Sequence, residues 1–319
     1  MRAAGRRSER LIGWLSEEPA RRGPSPLTLA MASCHDPSVD FPADAYEREI
    51  LAFRAAREAK YRSEDGWLTL VDRIPLEPGA SPTPLGNVSV ESGGRIVLEV
   101  TPGMEVARFG AGAGQLVAGS VEARVPGPGD PGEPVVFTSG PRRYEIVRRG
   151  ERLFMRVRDL KSPSRIAFSG IPTYSIDPAY RVVADFARLP EPEDTPLAMS
   201  DGDEDRAQLV GEAHFSLPGA TSSASPLALQ IFVEESTGRL YVPFGDRTNR
   251  DETYGGGRFL YGHERPGQDA AAPAAVVLDF NRACNPPCAF NPLVTCPLPP
   301  PANRLDVPIR AGERLPRGN

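Results

Sequence analysis

The chain has 319 residues and a net charge of −5, from 37 basic and 42 acidic side chains, and this mild acidity disfavours nucleic acid as a partner. Proline (35 residues) and glycine (31 residues) make up about a fifth of the chain against roughly 12% in ordinary proteins, which excludes a helical bundle. Hydrophobic residues, at 40%, suffice for a buried core, and no stretch of about 18 apolar residues predicts a membrane-spanning helix.

The first 40 residues have no sustained hydrophobic period, and we expect a disordered N-terminal extension. The run from Leu27 to Cys34 follows two arginines and resembles a lipoprotein cleavage box, but its apolar stretch is short and Met31 stands where leucine is usual. Met31 is also an alternative start site. We expect a cytoplasmic protein, with lipid anchoring at Cys34 as the weaker alternative.

One long helix is predicted over residues 44–62. Asp44 and Glu47 have the spacing of a capping box, and Asp65-Gly66 ends the run. Apolar side chains then recur at near-helical spacing, at Tyr46, Ile50, Phe53 and Tyr61. The sequence Trp67–Val71 follows at once and predicts a strand.

Short β-type runs separated by turn signals fill the next hundred residues. They lie at 86–90, 94–100, 104–109, 114–118, 120–125 and 134–138. A β-hairpin is predicted around Arg149-Gly150-Glu151, because apolar residues alternate on both sides of it, at Tyr144, Ile146, Leu153, Met155 and Val157. Together with the helix, these strands predict a first module over residues 41–160.

A second β module is predicted over residues 161–319, with its strands beginning near Arg165. The acidic segment 189–206 is expected to be an exposed loop within it. Further strands are predicted at 228–233, 239–244, 257–263 and 274–280. The tail over 284–308 holds eight prolines and predicts an extended coil, since proline cannot donate to a ladder. The fold class is therefore all-β, with an N-terminal helix followed by two packed antiparallel modules of sandwich or barrel type.

An antiparallel meander would bring the loop 245–256 and the segment 279–281 to the same end of the second module. We call this the polar rim, and its side chains are Asp246, Thr248, Thr253, Tyr254, Arg258, Asp279 and Asn281. Arg258 and Tyr254 would donate to an anionic or hydroxylated ligand, and the acidic and amide groups would orient it. Cys288 in the tail would form a wall, and Asn303 joins the candidate ligand-binding residues. The structural alternative is that these groups cap turns and that Arg258 pairs with Asp246 to lock the loop.

Known catalytic signatures are missing from the sequence. It contains no G-x-S-x-G and no H-E-x-x-H motif, and Gly255–Gly257 lacks the lysine of a phosphate loop. The best candidate for a general base is Asp279, with Asp246 second. The leading prediction is a binding protein for a small polar or anionic ligand that uses no cofactor. A hydrolase based on Asp279 and a structural or interaction module remain the alternatives, and the oligomeric state is not predicted.

Three cysteines in the tail form the pattern C-x3-C-x7-C. A zinc site normally needs a second pair of ligands, and His263 is the one histidine near in sequence, so we expect no metal. Buried thiols are the favoured prediction. A Cys288–Cys296 disulfide and a catalytic thiolate activated by Arg258 remain alternatives.

Several motifs resemble the domain of unknown function 1684 family. They lie at Phe53–Glu58, Ser63–Val71, Thr253–Leu260, Asp279–Ala283, Pro286–Pro292, Thr295–Pro300, Asn303–Leu305 and Ala311–Glu313. The resemblance implies a prokaryotic, mostly β protein with no established activity to carry over. Two features depart from the family pattern: Cys284 stands where the family has tyrosine, and the segment 79–90 lacks the family's glycine-asparagine pattern.

Overall fold

A computed structural model describes residues 43–109, 114–127, 134–149, 152–217, 226–234, 239–265 and 275–316. The predicted N-terminal extension, including Cys34, lies outside these residues. Helix α1 spans Ala43–Arg62 and confirms the predicted helix. Its acidic Asp44 lies in the first turn and its basic Lys60 in the last, as the helix dipole favours.

The first β region consists of ten strands in two sheets. The strands are β1 (Leu70–Leu76), β2 (Gly79–Thr83), β3 (Gly86–Val90), β4 (Arg95–Val100), β5 (Val106–Phe109), β6 (Gln115–Val117), β7 (Ser120–Arg124), β8 (Val135–Ser139), β9 (Arg142–Arg149) and β10 (Arg152–Asp159). One sheet has the order β1-β10-β9-β8-β5-β6, and the other has the order β2-β3-β4-β7. Both contribute side chains to one buried cluster, as Leu98 and Phe137 do. They therefore pack as the expected sandwich.

The hairpin of β9 and β10 confirms the predicted alternation. Tyr144 pairs with Val157, and Ile146 pairs with Met155. These four side chains are buried, as the period of two requires. The strand predicted from Trp67 was wrong in its first three residues, because Trp67–Thr69 form a 3-10 turn before β1.

The second β region is a six-stranded antiparallel barrel. Its strands are β11 (Arg181–Ala198), β12 (Glu204–Phe215), β13 (Leu227–Glu234), β14 (Arg239–Phe244), β15 (Arg258–Arg265) and β16 (Ala275–Asp279). The predicted meander is confirmed, and β11 closes the barrel by pairing with both β12 and β16. Buried Phe244, Leu260 and Leu278 belong to the core that fills it. Eight-stranded barrels are only just wide enough to enclose side chains or one small ligand, so this narrower barrel has no interior room for a ligand.

Two predictions about the start of this region were wrong. Residues 163–167 form a short helix, α2 (Pro163–Ala167), and the first strand starts at Arg181 rather than near Arg165. The acidic segment 189–206 is exposed, but most of it is strand, because the outer part of β11 pairs with β12. The hydrogen-bond ladder shifts register between Arg188 and Glu193. Pro190 and Pro192 lie in this interruption, where no backbone N–H has to be donated to the neighbouring strand.

The tail after β16 is an extended coil, as predicted. Its backbone groups form isolated hydrogen bonds with the barrel rather than a continuous ladder. The backbone of Cys284 exchanges two hydrogen bonds with that of Phe259, at 2.8 and 2.9 Å. Asparagine side chains of the tail also bind the barrel. Asn303 donates to the backbone carbonyls of Gln230 in β13 and Pro243 in β14, at 2.9 Å each. In the part of the chain that the structure describes, no helix is long and apolar enough to cross a membrane.

Gly257, which lies just before β15, should tolerate no side chain. Its φ is +87°, and an added Cβ would lie 2.6 Å from the carbonyl oxygen of Phe244 and 2.5 Å from Pro299. Gly103 has a similar φ of +83° with open space around it. We expect Gly103→Ala to lower the free energy of unfolding by about 1 kcal/mol through backbone strain alone. Gly257→Ala should lose roughly 2 kcal/mol more because of overpacking. Urea denaturation of both variants measures this difference, and equal losses would contradict the predicted clash.

Candidate functional site

A buried ion pair lies at the centre of the polar rim. The Arg258 Nη2 donates to Asp246 Oδ2 at 2.8 Å, and both side chains are fully buried. The same guanidinium donates to the carbonyl oxygens of Ile309, Ala311 and Glu313. Asp246 Oδ1 in turn accepts the backbone N–H of Ile309 at 3.1 Å. The pair therefore fastens the C-terminal tail to the barrel, as the structural alternative predicted.

The loop that carries Asp246 is stabilised by its own threonines. Thr248 donates its backbone N–H and its hydroxyl to Asp246 Oδ1, at 2.8 and 2.6 Å. Its hydroxyl also lies 2.8 Å from that of Thr253. Thr248 and Thr253 are both buried. These polar groups are thus hydrogen-bonded within the loop.

Asp279 and Asn281 form a second group, against helix α1. The Tyr46 hydroxyl donates to Asp279 Oδ1 at 2.8 Å, and Asn281 Nδ2 donates to the Tyr46 oxygen at 2.9 Å. Burial raises the pKa of Asp279 above its ordinary value, partly opposed by the hydrogen bond from Tyr46. Among the described residues, no hydrogen bond or ion pair joins this group to Arg258 or Asp246.

The remaining predicted site residues lie apart from both groups. Asn303 is fully buried and pairs with the backbone of β13 and β14. Tyr254 and Cys288 are neighbours whose titrations affect each other: burial and Cys288 raise the pKa of Tyr254, and Tyr254 helps to lower the pKa of Cys288. The nine predicted residues are therefore distributed over separate clusters rather than lining one open rim.

An open pocket lies elsewhere, between helix α1, β15 and the start of the tail; we call it the α1 pocket. Its polar lining comes from Arg57, Lys60, Tyr61 and Asn285. Its walls are formed by Trp67, Phe259, Tyr261, Cys284 and Pro287. The cavity volume is about 30 Å³, and a water needs about 10–15 Å³, so it has room for a small polar group.

Two buried polar atoms of this lining have no hydrogen-bond partner among the described residues: the Tyr61 hydroxyl and Asn285 Oδ1. Tyr61 is 3% exposed and Asn285 is 1% exposed. A buried polar atom without a partner costs about 1–3 kcal/mol, so folded proteins leave few of them. Both atoms belong to residues that line one pocket, which makes this pocket the candidate binding site.

The charge of the α1 pocket is set by its neighbours. Arg57 Nε donates to Glu313 Oε1 at 2.7 Å, and this ion pair is neutral overall. Burial raises the pKa of Tyr61 and raises that of Cys284 to about 11, so both groups are uncharged at neutral pH. Exposed Lys60 then leaves one net positive charge at the lining.

Sequence reasoning placed Tyr61 on the buried face of the helix and did not assign Arg57, Lys60 or Asn285 to a site. The sequence does single out Lys60, because it is one of only two lysines in a chain whose other basic residues are arginine. That rarity could have marked it as a candidate site residue. Asn285 carried none, because the bend that places it beside helix α1 depends on tertiary contacts with Glu313.

No cluster of three potential metal ligands occurs within the described ranges. The three tail cysteines there, at positions 284, 288 and 296, hold reduced thiols. The activation of a thiolate by Arg258, considered from the sequence, has no support here because that guanidinium is engaged with Asp246 and the tail carbonyls.

Arg258→Ala should destabilise the fold strongly. Removal of one member of a buried ion pair leaves the other charge unpaired, which costs about 3–5 kcal/mol. Arg247, in the same loop, makes an exposed pair with Asp306 at 2.6 Å, and Arg247→Ala should cost far less because solvent screens this pair. Urea unfolding of the two variants tests this. Similar losses would mean that the buried pair is not the anchor of the tail.

Asp279→Asn should change the pH dependence of stability. Because the folded-state pKa of Asp279 is raised, the folded state holds a proton that the unfolded state releases, and this contribution falls as pH rises above 3.8. The asparagine variant should therefore gain stability relative to the parent as pH rises from 3.8 through the raised folded-state pKa.

Asp306→Asn is the control, since the hydrogen bond from Arg247 lowers the pKa of Asp306. It should show no such gain. Unfolding free energies measured across this range decide the matter, and a constant difference for Asp279→Asn would contradict the raised pKa.

Comparison with known proteins adds a family. Residues 166–314, from α2 to the end of the tail, match the family described as "Protein of unknown function (DUF1684)". An uncharacterized protein of Haloarcula marismortui, solved in solution by NMR, is 35% identical in a match that covers 47% of this chain and 78% of that one, with a TM-score of 0.37. No curated protein matches the chain. The motifs at 53–71 lie outside the matched range, whereas Asp246, Arg258 and Asn285 lie within it. The chain belongs to the DUF1684 family.

Proposed function

We propose that this protein binds a small anionic or dipolar ligand in the α1 pocket. The observation that carries the proposal is the pair of buried polar atoms without partners, Tyr61 Oη and Asn285 Oδ1, in the lining of one cavity. Function is argued from this site because the fold alone does not identify an activity.

The chemistry of the lining defines the ligand class. Tyr61 is a neutral phenol that can donate, and Asn285 Oδ1 can only accept. The complementary ligand headgroup therefore carries an acceptor beside an N–H or O–H donor, as a hydroxy acid or a carboxamide does. The positive charge of Lys60 favours a carboxylate near it. The cavity volume of about 30 Å³ limits the bound part of the ligand to this small headgroup.

The predicted rim residues have a supporting role in this proposal. Arg258 donates to the backbone oxygen of Glu313 at 3.2 Å, and the Glu313 side chain accepts from Arg57 and from the Asn285 backbone. Two of the pocket's polar groups are therefore positioned by a residue that the Asp246–Arg258 pair holds. In this proposal, the rim residues position the pocket and do not contact the ligand.

A hydrolase with Asp279 as general base is the second candidate. Its support is Asp279 Oδ2, a buried atom with no hydrogen-bond partner among the described residues, on a carboxyl whose pKa burial raises. Asp279 is not part of the α1 pocket lining, so a ligand in that pocket would not meet this base. The binding function is therefore better supported.

The cytoplasmic location expected from the sequence stays a prediction. The net charge of −5 argues against nucleic acid as a partner.

Tyr61→Phe should separate binding from stability. The variant loses a buried hydroxyl that has no partner. Without ligand, its free energy of unfolding should therefore equal that of the parent or exceed it by up to about 1 kcal/mol. The same variant should lose most of any ligand-induced rise in melting temperature. Thermal unfolding with a panel of small aliphatic hydroxy acids, carboxylates and carboxamides measures both effects.

Tyr174→Phe is the matched control, since the Tyr174 hydroxyl donates to Glu252 at 2.9 Å and lies outside the pocket lining. It should keep the ligand-induced rise. A panel without any stabilising compound, or equal ligand stabilisation of Tyr61→Phe and the parent, would refute the proposed pocket. If Asp279→Asn instead abolished turnover of generic esters, the hydrolase alternative would replace it.

A further inference from the structure

Cys288 and Cys296 are held side by side in the tail. Cys288 lies in the 3-10 turn Pro287–Ala289, and its backbone N–H donates to the Sγ of Cys296 at 3.2 Å. The Cys296 side chain also lowers the pKa of the Cys288 thiol, as a close neighbour would. The sequence pattern left open whether these residues are bridged, and the structure has them as adjacent thiols.

The loop between the two cysteines is fixed at its middle. Asn291 Nδ2 donates to the carbonyl oxygens of Trp67 and Leu70, at 2.8 and 2.7 Å. At the far end, the Cys296 backbone N–H donates to the Ser200 hydroxyl at 3.0 Å. The loop therefore holds the two sulfur atoms together without a covalent bond, which favours their reaction with one another.

The two thiols differ in access and in surroundings. Cys288 is half-buried, whereas Cys296 is fully buried. Hydrogen bonding from Cys296, aided by the hydroxyl of Tyr254, lowers the pKa of Cys288. Nearby Cys284 differs, because burial raises its pKa to about 11. Cys288 is thus an accessible nucleophile, Cys296 is a buried neighbour that can react with it, and Cys284 is an unreactive thiol for comparison.

We propose that Cys288 and Cys296 form a redox-active dithiol that exchanges with low-molecular-weight disulfides. The Cys288 thiolate attacks one sulfur of the disulfide, and the other sulfur leaves as a thiolate. Cys296 then loses its proton to solvent and attacks the Cys288 sulfur, and the second small thiolate leaves. The protein gains a Cys288–Cys296 disulfide and is oxidised by two electrons, and the small disulfide is reduced to two thiols.

Other uses of this pair fit the structure less well. A metal would need further ligands, and within the described residues no cluster of three candidate ligands is present. A hydrolytic thiolate would need a base to pass on protons, whereas the titratable groups hydrogen-bonded to Cys288 are the Cys296 thiol and the Tyr254 phenol. Exchange with a disulfide needs no such base, because the leaving sulfur departs as a thiolate.

The test is exchange of the reduced full-length protein with oxidised glutathione, read by mass spectrometry of peptides after alkylation. Peptide mapping reads every cysteine separately, Cys34 included. We expect Cys288 to react at least roughly tenfold faster than Cys284 at neutral pH, because Cys284 is buried and its pKa is raised whereas Cys288 is partly exposed and its pKa is lowered. The end product should be the Cys288–Cys296 disulfide. Faster reaction at Cys284, or no linked peptide, would overturn the proposal.

Single substitutions assign the two roles. Cys296→Ser should stop the reaction at a glutathione adduct on Cys288, Cys288→Ser should abolish formation of the linked product, and Cys284→Ser should react as the parent does. Tyr254→Phe should slow the first step by roughly tenfold and move the pH midpoint of Cys288 alkylation upward, since a hydrogen bond to the thiolate is lost. An unchanged midpoint would remove Tyr254 from the site. An adduct that fails to accumulate in Cys296→Ser would remove Cys296 as the resolving thiol.

Discussion

The buried ion pair of Asp246 and Arg258 is the interaction on which the rest of the C-terminal region depends. A proline-rich tail has few backbone donors and cannot join a sheet, so it needs other groups to hold it. Arg258 supplies donors to three tail carbonyls, and Asp246 accepts from a tail amide. A charge buried this deeply is tolerated only because its partner is present, and the tail is bound by the same contacts.

The same pair connects two distant parts of the molecule. Through the tail it fixes Glu313, and Glu313 binds Arg57 on helix α1. The helix is also held at its other end by Tyr46 and Asp279. An element that is predicted from local capping and spacing is thus positioned by residues more than two hundred positions away. The α1 pocket exists because this docking brings the helix close to β15 without filling the space between them.

The sequence was sufficient for features that depend on local pattern. The helix over 44–62, the alternation around Tyr144 and Met155, and the meander of the barrel all follow from spacing and turn residues. Features set by tertiary contacts were not accessible. The meander correctly oriented the ends of β14 and β16, but nothing in the spacing revealed that Asp279 would face helix α1 while Asp246 faced the tail. The segment 189–206 resembled a loop because its prolines and acidic residues mask the strand period, although Leu197 and Met199 are buried at alternating positions.

The contact between Arg57 and Glu313 spans 256 positions along the chain. During synthesis, helix α1 emerges more than two hundred residues before its docking partners Asp279 and Glu313. The apolar face of the helix, with Ile50 and Tyr61, must therefore wait until those partners have been made. Such long-range closure predicts slow folding, and a truncated chain would expose the face that the barrel and tail normally cover.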